Sequence, residues 1–79
     1  MIVDLEKRIA EFNEIVGEAH WYLNHEQPDA ARQSLNKAKA YLNSYSEQMI
    51  QHNVEAYVAR LMSYFTAKDR LRQYVIPHN

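Results

Sequence analysis

Cysteine is absent from the 79-residue chain, and glycine occurs once, at Gly17. Without thiols there is neither a disulfide framework nor a thiolate metal site. One glycine cannot build a phosphate-cradling loop. With only Pro28 and Pro77 beside it, the chain has too few turn residues for an all-β fold or for βαβ units. Long apolar runs are missing too, since none approaches the roughly 20 residues of a membrane span. The stretch Met1-Ile2-Val3-Asp4-Leu5-Glu6 turns charged at once and lacks the apolar core of a signal peptide. Nor does one charge dominate. Nine basic and ten acidic residues leave a net of −1, which argues against a protein that coats nucleic acid. The expected location is the cytoplasm, that of a host cell if a phage or another mobile element encodes the chain.

What is present is helix-forming. Apolar residues make up 47% of the chain, and residues 1–79 are expected to form a single helical domain. Domains this small bury only roughly 60% of the surface their unfolded chains expose, so self-association is a common supplement. Ile2, Leu5, Ile9, Phe12, Val16, Ala19 and Leu23 alternate spacings of three and four, the heptad seam of a first helix. Asp4 stands where its N-cap belongs, and Pro28 predicts its end near Glu26. A second helix starts at Pro28 or Asp29 with the thin seam Ala31, Leu35, Ala38, Leu42. The short connection makes the first two helices an antiparallel hairpin.

The polar cluster Asn43-Ser44-Tyr45-Ser46, with capping-box spacing from Ser44 to Glu47, predicts a turn over 43–47. The competing reading is one rod over 29–75. Beyond the turn, Ile50, Val54, Tyr57, Leu61, Tyr64, Lys68, Leu71 and Val75 predict a longer third helix of roughly 42 Å. Its apolar arc is broad and demands two neighbours, hence a small three-helix bundle that is expected to be oligomeric through Tyr57, Val58, Met62 and Phe65. Ala19, Tyr22, Ala31, Leu35 and Ala38 resemble the small–aromatic–small–large–small pattern of a tetratricopeptide helix pair over about 28 residues. That family's repeat does not continue, because Asn53, Met62 and Phe65 interrupt the small positions. A generic tight hairpin is the expectation.

Charge is uneven along the chain. Residues 1–29 hold seven acidic against two basic groups, a net of −5, and residues 30–79 seven basic against three acidic, a net of +4. Such halves can attract within the fold, dock between subunits or present unlike faces to partners. Catalytic groupings are poor. His20 and His25 do not share a helix face, and His52 with Glu55 is one carboxylate–histidine pair where a bundle metal site needs several. No metal or cofactor is expected. A phospho-accepting role for His20 fits badly beside bulky Trp21 with no lysine near. Ser34, Ser44, Ser46 and Ser63 have no neighbouring base, so an enzyme is not expected.

Trp21 lies about 200° around the helix from Ala19 and Leu23 and points away from the first seam. Gly17, one turn earlier, costs about 1 kcal/mol in a helix interior relative to Ala. A large ring over a small residue is what a binding hot spot presents, unless the third helix wraps over it as core. The expected function is a small non-enzymatic helical protein–protein interaction module that regulates, inhibits or adapts a larger partner protein, by analogy with phage accessory factors. Its candidate contacts are Trp21, Gly17 and His25, with Tyr64 and Leu71 on the exposed half of the third helix. The alternative is a small nucleic-acid binder using Arg32, Lys39, Lys68 and Arg72, with tyrosines stacking on bases.

Overall fold

The computed structural model describes residues 4–75. They form α1 (Leu5–Asn24), α2 (Pro28–His52) and α3 (Val54–Val75), with no strand among the described residues. The three rods fill an envelope of 51 × 18 × 16 Å. Ile2 of the predicted first seam, Pro77 and the side chain of Val75 lie outside the described residues.

Helix α1 begins as its sequence demands. The Asp4 carboxylate accepts from the Lys7 backbone N–H at 3.2 Å, and Glu6 adds negative charge to the first turn. Both satisfy the unpaired amides and the positive end of the helix dipole. Phe12, Val16, Ala19 and Leu23 of the seam are buried, with Leu5 and Ile9 packed at its edge. The far end closes in a Schellman motif: the Gln27 N–H donates to the Tyr22 carbonyl at 2.8 Å and the Glu26 N–H to the Leu23 carbonyl at 3.3 Å. That motif requires a left-handed residue, usually glycine, at the position Glu26 occupies with φ 59°.

Proline at its first position starts α2 with no side-chain cap. Ala31, Ser34, Leu35, Ala38, Leu42 and Met49 are its buried residues. Ala31 and Ala38 are fully enclosed, as is Ala19 opposite them, so the backbones of α1 and α2 can approach closely. Phe12 and Met49, the largest fully buried side chains, fill the space toward the other end. Across this seam the Tyr41 hydroxyl donates to Glu11 Oε1 at 3.1 Å, and Arg8 pairs with the same oxygen at 2.9 Å. These two hydrogen bonds, the Arg8 one first, hold the Glu11 carboxyl below the usual carboxylate range.

The turn expected over 43–47 is not there, and neither is the single rod. Helix α2 runs through the polar cluster to His52. Leu42, Tyr45 and Met49 continue its inward stripe, while Asn43, Ser44 and Glu47 face solvent. The break falls at Asn53, an extended residue (φ −166°, ψ 101°) whose side-chain oxygen accepts from the Ala56 N–H at 3.1 Å. Asn53 is therefore both the stop of one helix and the N-cap of the next.

Among the described residues α3 has 22 residues against 25 in α2, so the described part of the third helix is not the longer one. Tyr64, Ala67 and Leu71 are buried and Tyr57 and Leu61 pack at the rim. Ile50, Val54 and Lys68, placed in the same seam by spacing, are instead exposed. The helical phase resets at Asn53, which takes Ile50 out of the α3 seam. Near the other end, Arg70 reaches α1, donating to His20 Nδ1 at 3.1 Å and to the Asn24 side-chain oxygen.

Replacing Glu26 by Gly is expected to raise the unfolding free energy by about 1 kcal/mol, since the left-handed backbone then carries no Cβ strain. A urea midpoint at or below that of the parent chain would show that Glu26 sits there without strain.

Candidate partner-binding surfaces

Trp21 stands opposite the buried side of α1 and is 52% exposed, so the third helix does not wrap over it. Its ring is nevertheless held. His25 stacks on it with centroids 3.9 Å apart and planes 21° off parallel, and Tyr22 meets it edge-on at 5.4 Å. His25 is fixed in turn, its Nδ1 lying 2.8 Å from the Trp21 carbonyl. A carbonyl only accepts, so Nδ1 carries the hydrogen. Gly17 lies one turn away on the exposed side, and a Cβ placed on it would meet nothing within 4 Å. No internal packing explains this glycine.

The other two residues expected to contact a partner, Tyr64 and Leu71, do not lie on an exposed side of α3. Tyr64 (6% exposed) and Leu71 (8%) are core, packed with Ala67 against the hairpin. Burial pushes the Tyr64 phenol above its ordinary pKa. They share a stripe at i, i+7, and that stripe is the one α3 turns inward.

A second surface follows the outer side of α3. Val54, Val58, Met62 and Phe65 are all exposed, Met62 to 63%. At 100° per residue they fall within about 80° of arc. Of the residues expected at an oligomer interface, Val58, Met62 and Phe65 lie on this ridge, whereas Tyr57 sits half-buried at its foot. Sequence spacing missed Val54 and Ile50 as surface residues, although Val54, Val58 and Met62 already run i, i+4, i+8.

The basic residues gather along the groove between α2 and α3. Arg32, Lys68 and Arg72 line a cleft of about 550 Å³ with Phe65, Asp69 and Leu71. Lys39 and Lys68 flank an adjoining cleft of about 240 Å³ beneath Tyr57, Leu61 and Phe65. Arg32 pairs with Asp29 at 3.0 Å and Arg72 with Asp69 at 2.6 Å. Lys39 and Lys68 form no ion pair among the described residues.

His52 closes α2 and Glu55 opens α3, so that pair does not share a helix. No group of three or more metal-ligating side chains occurs among the described residues. No protein-family model matches the chain, and neither a curated protein nor a solved structure matches it.

Arg70 and His20 together make stability depend on pH. A guanidinium only donates, so His20 Nδ1 accepts and the ring is neutral. Desolvation first, then the charge of Arg70, lowers the His20 pKa below its ordinary value near 6.5. The unfolded chain then binds the proton more readily, so this contribution is present above about pH 6.5 and is lost as pH falls below it. The thermal midpoint should drop between about pH 7.5 and 5.5, and His20→Gln, which keeps an acceptor but does not titrate, should flatten that part of the profile. An unchanged slope in the variant would assign the drop to other groups.

Proposed function

We propose that this chain is a small non-enzymatic interaction module that docks a larger protein on the outer side of α1, with Trp21 as anchor and Gly17 and His25 beside it. The observation that carries the reading is the pairing of an exposed, pre-positioned indole with a helix-interior glycine that has no packing role. Such a glycine lowers helix stability by about 1 kcal/mol relative to alanine. A partner backbone lying close over the missing Cβ would give that sacrifice a use. Holding the indole through His25 and Tyr22 limits the rotamer entropy lost on docking, and the acidic residues Glu14 and Glu18 on the same exposed side favour a partner with basic groups around an apolar slot.

A second reading, nucleic-acid binding, draws on the gathering of Arg32, Lys39, Lys68 and Arg72 at one groove. Asp29 and Asp69 offset two of the four, and the acidic α1 face opposes phosphate. That reading requires gel retardation of DNA or RNA, with log affinity falling against log salt at a slope of about −2 for two free lysines.

The test uses the immobilised chain in extracts of its native cells. The parent should retain a partner in stoichiometric amount, and Trp21→Ala should reduce retention by tenfold or more with unchanged helicity. Gly17→Ala should separate the two roles of that position, raising the unfolding free energy by about 1 kcal/mol while weakening retention. Equal retention by parent and Trp21→Ala overturns the proposal.

A further inference from the structure

The groove between α2 and α3 has two helical walls and opens away from α1. Tyr41, which reaches across to Glu11 of α1, lies about 160° around α2 from Lys39. Arg32, Lys39 and Ser46 fall within about 40° of arc on one wall, and Tyr57, Leu61 and Lys68 within about 40° on the other. Each wall is about 22 Å long, about four turns of helix. We propose that this groove holds one amphipathic helix of a partner protein, its apolar stripe on the groove floor and acidic side chains along both flanks.

Charge names the occupant. The residues lining the two clefts carry Arg32, Lys39, Lys68 and Arg72 against Asp69, a net of 4 − 1 = +3, in a chain whose net is −1. Counting Asp29, which pairs with Arg32 from outside the lining, still leaves +2. That surplus rests on Lys39 and Lys68, both exposed and both without an ion pair among the described residues. They line one cleft from opposite walls, Lys39 on α2 and Lys68 on α3, so a helix lying between them meets a cation on each flank. Between the two lysines the lining is apolar, with Leu42, Leu61 and Phe65. Leucines give a phosphate backbone nothing, and base stacking needs free rings, whereas Tyr64 is buried and Tyr57 half-buried. A peptide helix satisfies both parts at once, with apolar side chains at i, i+4 and i+7 on the floor and carboxylates beside them. None of Trp21, Gly17 and His25 lines either cleft, so this site is separate from the one on α1 and takes a partner of the opposite charge.

The test uses the full chain and a dye-labelled peptide of about 20 residues, with leucines at heptad positions a and d and glutamates at e and g, whose like charges oppose its own pairing. Fluorescence anisotropy at about 0.15 M salt should show saturable binding in the micromolar range. Lys39→Glu and Lys68→Glu, both at exposed positions, should each weaken it at least tenfold with helicity unchanged. Lys37→Glu makes the same charge change about 160° away on α2 and should leave the affinity within about twofold. A probe with serines in place of the leucines should also lose at least tenfold. Trp21→Ala should leave the probe affinity unchanged, so failure of this site and failure of the α1 site are read apart. No binding up to about 1 mM probe overturns the proposal, as does equal binding of the serine probe or an equal loss in Lys37→Glu, which would reduce the interaction to net charge. Tighter binding of single-stranded DNA of similar length than of the leucine probe also overturns it, in favour of nucleic acid.

Discussion

The close seam between α1 and α2 constrains everything built on it. Ala19 on one side and Ala31, Ser34 and Ala38 on the other put small buried side chains between the two backbones, with Phe12 and Met49 filling the seam toward its other end. Tight contact of this kind maximises dispersion but leaves no slot for a third element. Helix α3 therefore cannot wedge between the first two. It lies chiefly along α2, touching α1 more sparingly, and turns only Tyr64, Ala67 and Leu71 fully inward. The bare outer side of α3 and the bare outer side of α1 are both products of that seam.

Within the hairpin, polar contacts set register more than they add stability. Tyr41 and Arg8 converge on one oxygen of Glu11, and Arg70 joins the C-terminal part of α3 to His20 and Asn24. Arg8, Glu11, Tyr41 and His20 are half-buried and Arg70 and Asn24 exposed, a setting in which ion pairs and hydrogen bonds contribute modest net free energy. What they do supply is alignment: each contact can form at only one axial offset of the helices it links. An alanine seam is smooth and specifies offset weakly, so the polar contacts at its margin complement it.

Much of this architecture was legible beforehand, and the reasons for the rest are physical. The α1 seam, the Asp4 cap and the outward Trp21 follow from spacing alone, because one uninterrupted helix keeps its phase. The α2–α3 junction did not follow. Asn43, Ser44 and Glu47 form a turn-like string, yet a polar string on the wet side of a helix looks the same. Only the burial of Met49, seven residues beyond Leu42, separates the two cases. Misplacing the junction then carried the phase of Ile50 and Val54 into α3 and hid the exposed ridge. Tyr64 and Leu71 were misassigned for a related reason: a broad apolar arc shows that two sides are covered, but not which side faces the molecule's own core.

The placement of Trp21 also decides what light emitted by the chain can report. It is the sole tryptophan, half in water and stacked on an imidazole, while five of the six tyrosines line the interior and its rim and Tyr74 is exposed. Indole fluorescence in this protein watches the outer wall of α1 rather than the core. Denaturation moves that indole from one wet setting to another, so the melting of the bundle is better followed by far-ultraviolet dichroism or by the tyrosines.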